Sequence, residues 1–162
     1  NRFTITLESG DVFGLSEDVF LSMSLNVGQK LDAKELGVLK SLESKTKIRD
    51  QALTLLSYRQ RSRSELFKRL KEKGHRKKLI ESLLDEFESK GYVNDSDFAN
   101  IYATHLVEKK MIGKIAVRNK FYPHNIPDHI LNPIIDKLYL LNPPLDIVKS
   151  TLPRPRQNKP HK

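Results

Sequence analysis

The 162-residue sequence contains no cysteine. This absence excludes disulfide bonds, thiolate zinc sites, iron–sulfur clusters and a cysteine nucleophile. It fits a reducing compartment, and we expect the protein to be cytoplasmic. No uncharged apolar run approaches the roughly 18 residues that a membrane-spanning helix needs, so we expect no membrane contact.

Signatures of catalysis and metal binding are missing as well. The chain has no Gly-rich phosphate loop and no serine in a nucleophile-elbow motif. Its five histidines form no His-x-x-x-His pair of the kind that binds zinc. Asn94, Asp95 and Asp97 lack the spacing of a calcium loop and are better explained as a helix N-cap with first-turn acids. The sequence therefore predicts no catalytic residue, no metal and no cofactor.

Charge is abundant but segregated. The chain has 29 basic and 20 acidic residues, a net charge of +9. Residues 59–78 hold ten basic against two acidic groups, residues 79–108 one against seven, and residues 109–162 eleven against three. Because solubility alone needs no such segregation, the pattern favours a polyanionic partner. A solvated helix face remains the alternative for any single block.

The N-terminal part predicts a β-hairpin followed by helices. Residues 2–7 alternate in β-branched and aromatic residues and, with 12–15, read as two strands around a turn. Ser16 is expected to cap a short helix over 17–24. Asp32 and Glu35 form a capping box that begins a second helix. We expect that helix to end near Lys45 and a third helix to cover 46–58.

The rest of the chain repeats itself with a shift of 51 residues. Matched apolar positions include Ala52 with Ala103, Leu66 with Val117 and Leu84 with Ile135. Breaks match too. Ser62 and Gly113 both begin helices, and Gly74 and Asn125 both suit a left-handed helix end. Helical periodicity alone does not align such breaks, so we predict tandem three-helix repeats. Pro123 is expected to shorten or kink the second helix of the second copy.

These patterns predict a mainly α fold in which an N-terminal β-hairpin precedes tandem three-helix repeats. The expected segments are a hairpin with short helices (1–46), a first repeat (47–97), a degenerate second repeat (98–150) and a basic Pro-rich tail without folded structure (151–162).

Two segments carry a family resemblance. They are Ala52–Leu66, with Ser-Tyr-Arg-Gln-Arg-Ser-Arg at 57–63, and Gly91–Tyr102, with Gly-Tyr-Val-Asn-Asp at 91–95. Both resemble the signature of the RecX family, regulators of the RecA recombinase. The resemblance implies a non-catalytic, elongated and curved helical protein. It would lodge in the groove of the RecA filament on single-stranded DNA and limit filament growth and recombinase activity. We expect a monomer that reaches single-stranded DNA directly or through the filament.

The candidate RecA- or DNA-binding residues are basic. Arginines pair with carboxylates or phosphates in bidentate geometry, and the helix N-terminus after Ser62 is expected to favour an anion. As alternatives, Arg59 or Arg61 braces the turn through an internal salt bridge, and the lysines form a solvated face. The candidates are Arg59, Arg61, Arg63, Lys68, Lys71, Arg76, Lys77, Lys78, Lys110, Lys114 and Arg118.

The competing function is a stand-alone helical DNA-binding module. The helix over 63–73 carries lysines and glutamates rather than the outward Arg, Asn or Gln that read bases, so such a module would contact the phosphate backbone. Tyr58, Tyr92 and Tyr102 are expected to pack in the core or in turns rather than to stack on bases.

Overall fold

A computed structural model describes residues 2–143. The predicted basic tail over 151–162 lies outside these residues. Within them, two strands and seven α-helices follow in chain order. They are β1 (Arg2–Thr6), β2 (Val12–Ser16), α1 (Glu17–Ser22), α2 (Ala33–Tyr58), α3 (Arg63–Glu72), α4 (Lys77–Ser89), α5 (Asp95–Thr104), α6 (Lys114–Phe121) and α7 (Asp128–Leu141).

The chain groups into two compact units. Among the described residues, unit 1 contains 2–59 together with Leu66–Ser89. Unit 2 contains Gln60–Glu65 together with 90–143. The two units are defined by spatial contacts, whereas the predicted segments that end at 46, 97 and 150 are defined by the sequence repeat. Those segment boundaries therefore stay a prediction.

The predicted hairpin is present in unit 1. Strands β1 and β2 pair antiparallel, with Phe3 opposite Leu15 and Ile5 opposite Phe13. Leu15 is fully buried, and its core includes Val19 of α1 and Leu39 of α2. An isolated two-stranded hairpin is marginal in water, so this shared apolar core stabilises it.

A carboxylate at the middle of α2 joins the hairpin to this helix. Glu43 accepts hydrogen bonds from the Arg2 guanidinium (2.9 Å) and from the backbone N–H of Ser16 (2.7 Å). Its side chain is only 13% exposed. The Ser16 bond supplies a partner to a part-buried backbone group that would otherwise be unsatisfied.

Two local expectations for this region were wrong. The helix that was to end near Lys45 continues, and 33–58 form the single helix α2. No Gly or Pro interrupts 44–47, and the Ser44 hydroxyl bonds the Lys40 carbonyl within the helix, so no local signal ends it. Ser16 occupies the N-cap position of α1, but its side chain makes no capping hydrogen bond. The capping box of Asp32 and Glu35 is confirmed.

The helical repeat is confirmed by helix boundaries and by burial. Shifted by 51 positions, α3 and α6 begin at matching residues, and so do α4 and α7. Gly74 (φ 85°) and Asn125 (φ 52°) both adopt the left-handed conformation, which ends a helix. Pro123 lies in a 3₁₀ turn, Tyr122–His124, that replaces the last part of the second copy's helix. Matched pairs are buried alike: Ala52 and Ala103, Leu66 and Val117, Leu70 and Phe121, Ile80 and Leu131, Leu84 and Ile135.

Unit 2 has an aromatic core with one polar contact inside it. The His124 ring lies 4.7 Å from the Phe98 ring and 5.3 Å from the Tyr102 ring, centroid to centroid. Its Nδ1 is 3.0 Å from the hydroxyl of Ser62, which is fully buried. The same hydroxyl accepts the backbone N–H of Glu65 (3.2 Å). Ser62 therefore caps α3, as predicted, and also binds a side chain 62 positions away.

Among residues 2–143, no helix combines the length and the apolar character that a membrane crossing requires.

We predict that Glu43→Ala loosens the hairpin. The change removes the acceptor of two hydrogen bonds, and we expect unit 1 to lose about 1–2 kcal/mol of stability. Urea unfolding followed by far-UV circular dichroism measures the loss, and amide hydrogen exchange locates it at β1 and β2. Asp50→Ala, which removes an exposed carboxylate from the same helix, is the control and should change stability by less than about 0.5 kcal/mol. Equal effects of the two changes would contradict the role of Glu43.

We predict that Ser62→Ala destabilises the protein by about 1–3 kcal/mol, because the part-buried Glu65 N–H and the part-buried His124 ring nitrogen each lose a hydrogen-bond partner. Ser64→Ala is the matched control. The Ser64 hydroxyl contacts only the Pro123 carbonyl, at 3.4 Å, so its loss should cost far less. Urea unfolding of both variants tests this, and a Ser62→Ala protein as stable as the Ser64→Ala protein would refute the inferred contact.

Candidate functional site

The turn between α2 and α3 holds three of the candidate arginines. α2 ends at Tyr58, and Arg59 is in extended conformation. At the start of α3, Ser62 accepts the Glu65 N–H, and the Asp95 carboxylate accepts the Arg63 N–H (2.8 Å). Two of the N–H groups at the N-terminus of α3 are thus bound by the protein's own groups. The expectation that this N-terminus favours an external anion stays a prediction. The Asp95 contact was missed because it spans 32 positions and no local spacing records it.

Arg61 has an internal role. Its guanidinium forms an ion pair with the Glu65 carboxylate, and the two side chains are only 11% and 14% exposed. The bracing interpretation is therefore confirmed for Arg61, and a buried pair of this kind costs several kcal/mol if one partner is removed. Arg59 is exposed and Arg63 is half-buried.

Unit 1 contains five candidate cations on two consecutive helices, which we call the α3–α4 patch: Lys68 and Lys71 of α3, Arg76 just before α4, and Lys77 and Lys78 in the first turn of α4. All five are exposed. Lys77 pairs with Glu81 at 3.6 Å. The other four form no ion pair with any residue in 2–143.

The arrangement of the α3–α4 patch costs stability. Lys68 and Lys71 are three residues apart and therefore neighbours on one helix face, where like charges repel. The first turn of α4 contains Lys77 and Lys78 and no acid. Cations at a helix N-terminus oppose the helix macrodipole. A negatively charged partner would relieve both repulsions, so the patch is suited to bind one.

His75, which precedes Arg76 of the patch, has a shifted pKa. The pKa of His75 is lowered from 6.5, first by burial and then by the charges of Lys47 and Lys73. Its Nε2 lies 2.9 Å from the Gln51 amide oxygen. Because burial and nearby positive charge both disfavour protonation and lower the pKa, His75 is mainly neutral at pH 7.

The candidate cations of unit 2 are mostly compensated. Lys114 forms an ion pair with Asp136. Arg118 donates a hydrogen bond to the Asn132 side chain and lies 3.9 Å from Asp128. Lys110, which follows a π-helical turn at His105–Lys109, is exposed and has no ion pair within 2–143. The second copy therefore presents less free positive charge than the α3–α4 patch.

At the start of α5, the Asn94 side chain caps the helix. The Asn94 side chain accepts the N–H groups of Ser96 (3.0 Å) and Asp97 (3.1 Å), as the N-cap interpretation predicts. In the part of the chain that the structure describes, no group of three His, Asp or Glu side chains could hold a metal ion.

Comparison with known proteins places these features in a family. The family model described as "RecX, first three-helix domain" matches residues 49–87, which contain the C-terminal ten residues of α2, all of α3 and nearly all of α4. Relatives called "Regulatory protein RecX" include that of Geobacillus sp. (strain WCH70), 31% identical over 74% of this chain and 45% of that protein. That of Bacillus subtilis (strain 168) is 32% identical over 70% of this chain and 42% of that protein. The chain thus spans about half the length of these relatives.

Solved structures agree on the fold. A crystal structure of regulatory protein RecX superposes with a TM-score of 0.70, at 21% identity, over 92% of this chain and 74% of that chain. RecX from Lactobacillus salivarius superposes with a TM-score of 0.57, at 21% identity, over 62% of this chain and 68% of that chain. Sequence relatives, the matched three-helix domain and the shared fold agree, and the chain belongs to the RecX family.

Proposed function

We propose that this protein is a non-catalytic regulator of the RecA recombinase. It binds RecA and its filament on single-stranded DNA and limits filament growth and recombinase activity. We expect it to act as a monomer in the cytoplasm, where such filaments form. Its relatives are regulatory proteins by name, which supports regulation rather than turnover.

The observation that carries the proposal is the α3–α4 patch. Four exposed cations without a carboxylate partner in 2–143 lie within the segment that matches the RecX domain. Their repulsion costs stability in the free protein. A filament of RecA on DNA offers both acidic side chains and phosphates to relieve it.

The other candidates contribute unequally to this proposal. Arg59 and Lys110 are exposed and can reach a partner. Arg61, Arg63, Lys114 and Arg118 remain candidates, but the ion pair of Arg61 with Glu65 makes its substitution a test of folding rather than of binding. The lysines of the α3–α4 patch give a cleaner test.

We predict that Lys68→Ala, Lys71→Ala and Lys78→Ala together weaken regulation of RecA. The assay follows ATP hydrolysis by RecA on single-stranded DNA, titrated with the wild type at fewer than one molecule per RecA. We expect wild type to lower the rate at these ratios. The triple variant should need about ten times more protein for half-inhibition, which corresponds to about 1.4 kcal/mol.

The matched control replaces Lys30, Lys34 and Lys45 by alanine. These lysines are exposed, belong to unit 1 and lie outside the α3–α4 patch. The control removes the same net charge and should inhibit as wild type does. If both triple variants weaken inhibition equally, the loss of net charge explains the effect. If the patch variant inhibits RecA as fully as wild type does, the role of the patch is refuted.

We predict, as a second test, that inhibition does not require coverage of the DNA. Binding to single-stranded DNA without RecA, measured by fluorescence anisotropy at several salt concentrations, gives the protein concentration at which DNA is saturated. If ATP hydrolysis falls only at that concentration, with a log–log salt slope near −0.7 for each phosphate neutralised, the stand-alone DNA-binding module is the better account. No effect on a matching RecA would overturn the regulator.

A further inference from the structure

Unit 2 contains an open groove at the end of α6. Its volume is about 510 Å³, and its walls come from α6, the 3₁₀ turn and the start of α7. Apolar side chains, among them Phe121 and Leu131, form part of the lining and are buried in the core of the unit. Polar groups complete it, including Arg118, Asn119 and Asp128. The groove thus combines an apolar base with hydrogen-bonding groups, as binding sites for small organic groups do.

One aromatic ring in this groove lies outside the hydrophobic core of unit 2. Tyr122 lies in the groove lining but is 89% exposed, whereas its neighbour Phe121 is 2% exposed and belongs to the core. Burial of a tyrosine ring is favourable, so an exposed ring beside a groove is available to a ligand with a flat face. The left-handed Asn125, which follows the 3₁₀ turn, ends the helical segment that carries this ring.

The groove also has a positioned cation. Arg118 donates to the Asn132 side chain and lies 3.9 Å from Asp128, so its guanidinium is oriented before any ligand binds. The surrounding segment 109–126 contains five lysines and arginines and no acidic residue. Asp136 pairs with Lys114 and Asp128 lies beside Arg118, so two of the five charges are offset and the local balance remains positive. The expected ligand is therefore anionic as well as flat.

We infer that this groove binds one nucleotide of a single-stranded nucleic acid, with the base stacked on Tyr122 and a phosphate on the Arg118 guanidinium. Every nucleotide has both a π-face and a phosphate, and proteins bind single strands through this combination. An acidic peptide would satisfy Arg118 but would rarely supply a flat ring for Tyr122. The Asn119 amide can serve a base edge. This inference deepens the proposed function, because it assigns the DNA-facing part of a filament regulator.

The experiment measures binding of a fluorescein-labelled oligo(dT) strand to the full chain by anisotropy, without RecA. We expect Tyr122→Ala to weaken binding about tenfold, as the loss of one stacked base does, and Tyr122→Phe to bind as wild type. On an otherwise identical strand of abasic sugars, wild type and Tyr122→Ala should bind equally. Arg118→Ala should reduce the log–log salt slope by about 0.7, the contribution of one phosphate on a single strand.

Ile115→Ala is the control, since Ile115 is exposed on the same helix and is absent from the groove lining. It should leave binding unchanged. Wild-type affinity of Tyr122→Ala for oligo(dT) would overturn the inference, and so would equal weakening on the abasic strand. Unchanged oligo(dT) affinity with reduced affinity for DNA-free RecA would assign the groove to a polypeptide instead. None of these outcomes depends on inhibition of RecA, so this inference and the regulator proposal can fail separately.

Discussion

The start of α3 shows how a backbone requirement organises the candidate site. A helix N-terminus leaves N–H groups without intrahelical partners. Here Ser62 and Asp95 accept two of them. Because the Ser62 hydroxyl also contacts His124 inside an aromatic cluster, the cap is part of the core of unit 2. The turn before α3 is thus held by part-buried hydrogen bonds together with the ion pair of Arg61 and Glu65.

Positive charge is used differently at the two copies of the repeat. At the first copy, the exposed lysines of α3 and α4 repel one another and oppose a helix dipole, and four of the five cations of the patch lack an acidic partner within 2–143. At the second copy, Lys114 and Arg118 are close to Asp136 and Asp128. We interpret the first as a surface that needs a partner and the second as a surface whose cations are oriented by their neighbours. Related helices can therefore differ in role while they share burial and boundaries.

Sequence reasoning succeeded where the signals were local. The Asp32–Glu35 box, the Asn94 cap and the left-handed Gly74 each depend on residues within about one helical turn, and all three are confirmed. It failed where local signals were weak or where solvent exposure decided the outcome. Nothing near Lys45 ends or extends a helix by itself, and α2 continues through it. Tyr102 packs on Phe98 as expected, whereas Tyr58, the last residue of α2, is 79% exposed.

The sequence by itself determined the mainly helical fold, the hairpin, the 51-residue repeat with its breaks, and the blocks of charge. Each of these follows from periodicity, capping residues or composition, which act over a few positions. Only the tertiary structure decided which charges are available. Arg61 is paired with Glu65 and largely buried, while Lys68 is exposed without an ion pair in 2–143. The reason is that the interaction energy of a charged side chain depends on its burial and on its neighbours. Folding brings together neighbours that are far apart in the sequence, such as Asp95 and the start of α3.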